Sequence, residues 1–171
     1  QLHNAAVALT AATVMQQRGW HLTDEQIREG LAEVRWPGRF DVRRKDPLFI
    51  IDGGHNPQCI QALVKNIQDY LADRPLTILT GVLADKDYNC MYRNVEPYAK
   101  EFITITPGNP RALNAHELAK YLSQFGKPVT ACDVVADGVR LAVEHAGRDG
   151  VVLCYGSLYM IGEIEAGLQQ L

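Results

Sequence analysis

The feature that most constrains this chain is an alternation. Apolar runs of three to five residues, too short to be buried helices, are separated by stretches of about ten residues or more with helical spacing. The runs fall at 48–51, 76–80, 102–105, 129–131 and 151–155. Between the first two, residues 57–71 place Ile60, Leu63, Val64, Ile67 and Leu71 on one stripe of a helix. Further helices are expected over 88–100, interrupted near Pro97, from the Asn114 cap to near Gly126, over 133–146, and over 159–168. Strands that are apolar throughout, each followed by a helix, imply a mostly parallel sheet with helices covering both faces. Residues 40–43 and 48–51, joined by a tight turn at Asp46-Pro47, add an antiparallel hairpin at one edge. The expected fold is therefore α/β, three-layered and Rossmann-like.

Upstream of this pattern the chain reads differently. Residues 5–17 form an alanine-rich helix ended by Gly19, and Thr23 with Gln26 makes a capping box for a second helix running to about Glu33. Trp36-Pro37-Gly38-Arg39 cannot be regular structure and reads as a linker. The expected division is 1–35, the helical end of an upstream domain with its linker, and 36–171, the main domain. The chain opens on Gln1 inside an apparent helix, which reads as a fragment excised from a longer protein.

Of the 171 residues, 47% are hydrophobic and 22% charged, enough for one sizeable core. A net charge of -3, with no cationic run longer than Arg43-Arg44-Lys45, gives no footprint for nucleic acid or an anionic membrane. No apolar run approaches the roughly 20 residues of a membrane helix. The four cysteines are scattered without metal-ligand spacing, as reduced thiols of a cytoplasmic protein would be.

In open parallel sheets, ligands bind beyond the carboxyl ends of the strands, so the loops at 52–56, 81–87, 106–111 and 156–157 are where chemistry is expected. In the first, two glycines allow close backbone approach, Pro57 opens a helix whose N-terminus suits an anion, and Asp52 and His55 supply an acceptor and a titratable donor. The same residues also fit a strand-to-helix turn in which Asp52 or Asn56 is only a cap. Lys86, between Asp85 and Asp87, suits an anionic ligand or a metal-bound nucleotide, or is a solvated charged turn. Ser157 fits a carboxylate contact or a helix cap. Arg39, held by the linker backbone, fits a phosphate or carboxylate, or an interdomain ion pair. Asn4 reads as a polar residue of the first helix. His3, His21, His116 and His145 are isolated and read as surface or capping residues. No GxxxxGK[ST] phosphate loop, GxGxxG turn or GxSxG elbow is present.

Trp36-Pro37-Gly38-Arg39, Asp52-Gly53-Gly54-His55-Asn56-Pro57, Gly81-Val82-Leu83-Ala84-Asp85-Lys86-Asp87 and Gly156-Ser157-Leu158-Tyr159 occur in this order. The set resembles the C-terminal part of bacterial folylpolyglutamate synthase / dihydrofolate synthase in the Mur ligase superfamily. The stretch 1–11 resembles the helix that closes that family's ATP-binding domain. Gly54 stands where many relatives have alanine. The resemblance implies the Mur ligase C-terminal domain fold. It also implies an ATP- and Mg²⁺-dependent ligase that adds glutamate to dihydropteroate or to the terminal glutamate of a reduced folate, through an acyl phosphate. The phosphate cradle and the metal would sit on a missing N-terminal P-loop domain in cis, leaving this part folded but inactive alone. It implies Asn4, Arg39 and Asp52 on the ATP side, His55, Ser157, Lys86 and Tyr159 on the glutamate side, and Asp52 and His55 as catalytic. A cytoplasmic monomer is expected. The other readings are a stand-alone nucleotide- or amino-acid-binding module and the C-terminal domain of a cell-wall Mur ligase.

Overall fold

The computed structural model describes residues 2–171, so Gln1, in the stretch compared above with the closing helix, lies outside the described residues. The chain divides into two compact units, Gln1–Trp36 and Pro37–Leu171. The first holds α1 (Leu2–Gln17) and α2 (Asp24–Glu33). The Gln26 amide donates to Thr23 Oγ1 at 3.2 Å and the Thr23 amide to Gln26 Oε1 at 2.9 Å, so the capping box forms as its spacing requires. Neither helix has a fully buried residue.

The second unit runs β1 (Asp41–Lys45), β2 (Leu48–Asp52), α3 (Pro57–Tyr70), β3 (Leu76–Thr80), α4 (Tyr88–Val95), β4 (Ala99–Thr104), α5 (Ala115–Leu122), β5 (Val129–Ala131), α6 (Val135–Ala146), β6 (Val151–Tyr155) and α7 (Ile161–Leu168). The sheet order is β1-β2-β6-β3-β4-β5, with β1 antiparallel to β2 and every other pair parallel. The α/β sheet with its antiparallel edge is thus as expected.

Several boundaries differ, among them β1, expected at 40–43 and found at Asp41–Lys45, and the helix after Asn114, which ends at Leu122 with a 3-10 turn over Ser123–Phe125. The helix expected over 88–100 stops at Val95, a 3-10 turn takes Glu96–Tyr98, and β4 begins at Ala99. Pro97 has no N–H for a helical bond and disfavours a helical residue before it, which ends α4 early. The final helix is preceded by a 3-10 turn at Leu158–Met160, and α6 starts two residues later than expected.

The middle strands β2, β6, β3 and β4 are largely buried on both faces. Ile50, Ile78, Phe102, Leu153 and Tyr155 pack against α3, α4 and α5 through Ile60, Leu63, Ile67, Tyr92 and Leu118. Phe49, Ile51, Leu79, Ile103, Val152 and Cys154 pack against α6 and α7 through Val139, Ala142 and Ile164. The alternation along each strand follows from the two-residue period of side-chain direction. The chain lays down β2 to β5 with α3, α4 and α5 on one face. It then returns across the other face through α6 and inserts β6 between β2 and β3. That insertion sets the ends of β2, β6 and β3 side by side. Among the described residues no helix is long and apolar enough to cross a membrane, and all four cysteines are free.

His145, expected to be isolated, is not. Its Nδ1 lies 2.7 Å from Glu101 Oε2, and Thr77 Oγ1 donates to Glu101 Oε1 at 2.9 Å. Burial alone would raise the Glu101 carboxyl. The hydrogen bonds from His145 and Thr77, with the charges of His145 and Lys100, outweigh it and hold the carboxyl below its ordinary value. A carboxyl depressed in the folded state contributes stability that is present above its unfolded value and lost as pH falls through its folded value. Urea midpoints of the wild type should therefore fall between about pH 5 and about pH 3 more steeply than those of Glu101→Gln. Parallel pH dependences would show that the carboxylate is not held this way.

Tyr92 and Tyr155 make a second test. The Thr80 hydroxyl donates to the Tyr155 carbonyl at 2.7 Å and sits 2.8 Å from the Tyr92 hydroxyl, which must then be the donor to it. The Tyr155 hydroxyl is buried without a hydrogen-bond partner. Tyr155→Phe should leave the unfolding free energy unchanged or raise it, and Tyr92→Phe should lower it by about 1 kcal/mol. The reverse order in chemical denaturation would contradict the assignment.

Candidate functional site

The carboxyl edge of the sheet is built by backbone approach. Gly156 leaves β6 at φ 121°, and a Cβ there would stand 2.4 Å from the Gly81 carbonyl oxygen. Only glycine fits that conformation and that gap. The Gly156 amide donates to the Gly54 carbonyl at 3.0 Å. The loops after β2, β6 and β3 are therefore in backbone contact. The loops after β3 and β4 are tied together as well. Ala84 N donates to Arg111 O at 2.8 Å and Leu113 N to Val82 O at 2.9 Å.

Within the first loop, both carboxylate oxygens of Asp52 are engaged by backbone amides. Oδ1 accepts from Gly54 N at 2.8 Å and Oδ2 from Phe40 N at 2.9 Å, and the residue is 9% exposed. Burial is the largest influence and raises the carboxyl above its ordinary value, while the two amides and the Arg39 charge pull it back. Asp52 thus pins Phe40, whose φ of 48° is unusual for a side chain of that size, to the turn at Gly54. The Gly53 amide adds a 2.6 Å bond to the Gly38 carbonyl. Asn56 is the cap of α3, accepting from Cys59 N at 2.9 Å, and Pro57 occupies the first turn.

An open cavity of about 460 Å³ lies at this edge. It brings together His55, Lys86, Ser157 and Tyr159, the four residues expected on one side of the site, with Leu83 and Leu158 as apolar wall. Asp52 and Arg39 are not among its lining residues. Asn4 lies on α1, in the other unit.

The Asp-Lys-Asp turn resolves into separate roles. Asp85 pairs with Arg111 at 3.0 Å, Asp87 caps α4 by accepting from Cys90 N at 3.1 Å, and Lys86 lines the cavity. Ser157, 2% exposed, is both a cap and a wall. Its Oγ accepts from Tyr159 N at 3.2 Å, which leaves its O–H to donate.

Arg111 also lines the cavity and was missed by the sequence reading, which marked its loop but not the residue. The usable signal was a cation three residues past Gly108 in a loop at the carboxyl end of β4.

The cavity wall therefore offers an ammonium, a guanidinium, a hydroxyl and an imidazole beside aliphatic surface. That set suits a small anion with a hydrocarbon stem, such as an acidic amino acid. Among the described residues, no three His, Cys, Asp or Glu side chains gather to hold a metal ion.

Asp52→Asn checks the pinning role. An amide has one accepting oxygen, and its NH₂ would face a backbone N–H, so one of the two bonds is lost. The unfolding free energy should drop by about 1–3 kcal/mol and the Phe40 or Gly54 amide should exchange faster with solvent. Unchanged stability and exchange would show that the carboxylate is not a structural anchor.

Residues 38–158 match the family described as Mur ligase, glutamate ligase domain. Folylpolyglutamate synthase of Lacticaseibacillus casei is 40% identical over 115 residues, covering 66% of this chain and 27% of that protein. Dihydrofolate synthase/folylpolyglutamate synthase of Bacillus subtilis is 28% identical, covering 99% of this chain and 39% of that protein. The solved structure of a bifunctional folylpolyglutamate synthase/dihydrofolate synthase with Mn, AMPPNP and L-glutamate bound has a TM-score of 0.81 at 29% identity, covering 94% of this chain and 38% of that one. The chain spans less than half the length of each of these relatives.

Proposed function

The chain belongs to the Mur ligase glutamate ligase domain family, and from that we propose that it is the glutamate-binding, carboxyl-terminal part of an ATP-dependent folate ligase. The reaction in this reading joins glutamate to dihydropteroate or to the terminal glutamate of a reduced folate through an acyl phosphate. ATP and the divalent metal are held mainly by an N-terminal P-loop domain in cis, and the enzyme works as a cytoplasmic monomer.

The observation that carries the reading is the cavity, in which Lys86, Arg111 and the Ser157 hydroxyl stand with His55 and Tyr159 beside Leu83 and Leu158. A dicarboxylate with a short stem satisfies both cations, and the leucines cover the methylenes. The relatives named for glutamate addition, one of them with L-glutamate bound, support the same assignment. Arg111 and Lys86 orient the amino acid by its carboxylates, and Ser157 donates to one of them. Asp85 holds the guanidinium in place through the 3.0 Å pair. Arg39 and Asn4, each on its own unit, are the nucleotide-side contacts of this reading. Asp52 serves it by fixing the loop that carries His55.

The test is phosphate release by the complete ligase polypeptide with ATP, Mg²⁺, glutamate and either dihydropteroate or tetrahydrofolate. Release should require both glutamate and the folate or pteroate, and the chain alone should release none. Arg111→Ala and Lys86→Ala should each raise the KM for glutamate about 10- to 100-fold with kcat less affected. Release independent of folates and pteroates would defeat the ligase reading, and an unchanged KM would move the glutamate site elsewhere.

A further inference from the structure

We propose that Thr80, at the end of β3, is a positioning residue for the cavity: its hydroxyl fixes the peptide from which Ser157 hangs, a role that rests on the glutamate reading above. The observation behind it is that this one peptide is held at both of its polar atoms. The Tyr155 carbonyl accepts from Thr80 Oγ1 at 2.7 Å, and the Gly156 N–H donates to the Gly54 carbonyl at 3.0 Å. That carbonyl and that N–H belong to the same planar unit, so the plane cannot turn without breaking both bonds.

The plane needs holding. Tyr155 is the last residue of β6 to pair, with Thr80 on one side and Asp52 on the other. Beyond it Gly156 takes φ 121°, and glycine has no Cβ to restrict the direction in which the chain leaves. The strand alone therefore does not decide where Ser157 points. Ser157 is 2% exposed, its Oγ accepts from Tyr159 N, and its O–H is what it has left for the cavity. A turn of the Tyr155–Gly156 peptide would swing that hydroxyl relative to Lys86 and Arg111, which other loops carry.

Thr80 is itself held. It is fully buried, and with its one hydroxyl hydrogen on Tyr155 O it accepts from the Tyr92 hydroxyl at 2.8 Å. Tyr92 lies on α4, which opens two residues after Lys86. The Thr80 carbonyl accepts from Ile105 N at 2.9 Å, at the start of the loop that leads to Arg111. The turns that carry Lys86, Arg111 and Ser157 are thus all referenced to one residue. A Cβ at Gly156 would stand 3.0 Å from Thr80 Oγ1, so the hydroxyl lies directly against that glycine. Valine would fill the same space and could neither donate nor accept, whereas serine would keep both bonds and lose only a methyl.

Kinetics on the complete ligase separate positioning from packing. Thr80→Val should raise the KM for glutamate about tenfold or more, with kcat and the KM for ATP within about threefold of wild type, because the lost contact is one made to bound glutamate throughout. Thr80→Ser should return the glutamate KM to within about threefold of wild type. A fall in kcat at unchanged KM, the signature of a smaller folded fraction, overturns the proposal, and so does a Thr80→Ser variant as impaired as Thr80→Val. If Thr80→Val does not fold, Thr80→Val combined with Tyr92→Phe, which leaves no Tyr92 phenol unpaired, carries the same comparison. In the chain as it stands, the Thr80 hydroxyl proton should give a slowly exchanging NMR signal. A hydroxyl proton in fast exchange with water overturns the proposal independently of catalysis. An unchanged KM in Thr80→Val beside a raised one in Arg111→Ala removes Thr80 from the site and leaves the glutamate reading standing. A wild type that releases no phosphate with any folate or pteroate defeats the ligase reading instead.

Discussion

Strand β6 has no free side, and the site depends on that. It enters the slot between β2 and β3, and all five of its residues are buried. Val151, Leu153 and Tyr155 join one core face, and Val152 and Cys154 the other. Burying a large aliphatic side chain contributes roughly 1.5–3 kcal/mol, against roughly 1–2 kcal/mol to fix one residue of backbone. Side-chain burial on both faces therefore outweighs the ordering cost along the strand and fixes its register against both neighbours. Once the register is fixed, the three strand ends come within backbone contact. Gly156 and Gly81 are what allow them to leave the sheet without collision.

Polar groups at this edge are sorted by sign. The acceptors are satisfied inside the loops: Asp52 by two amides, Asp87 and Asn56 by the first turns of their helices, Gly53 O by His55, and Asp85 by Arg111. A buried carboxylate without donors would be costly, and the Gly54 and Phe40 amides offset part of that cost for Asp52, burial remaining the larger influence. The groups left over for the cavity are mainly donors. The loop is thus partly a scaffold, its carboxylate holding the backbone at Phe40 and Gly54.

The parallel sheet, its antiparallel edge and three of the strand boundaries were legible because apolar run length and helical stripe are local signals. Val129–Ala131 and Val151–Tyr155 needed nothing beyond their own residues. Pro97 was visible as an interruption, but how it divides 88–100 between α4, a 3-10 turn and β4 depends on where β4 pairs with β3. His55, Lys86, Ser157 and Tyr159 were legible as a group because each lies in a loop at the carboxyl end of a strand. What Asp52 does was not legible, since Phe40 N, twelve residues away, reaches it only through the antiparallel return of β1. Nor was the pairing of Asp85 with Arg111, 26 residues apart, which follows from the bonds between the β3 and β4 loops.

A cavity rich in cations has a further consequence for an amino acid bound in it. For the glutamate proposed above, Lys86 and Arg111 would attract the carboxylates while standing against the same molecule's ammonium. Like charges within a few ångströms disfavour the charged form, so the ammonium holds its proton less tightly there than in water. Recognition of the carboxylates and activation of the nitrogen are then two effects of one charge distribution.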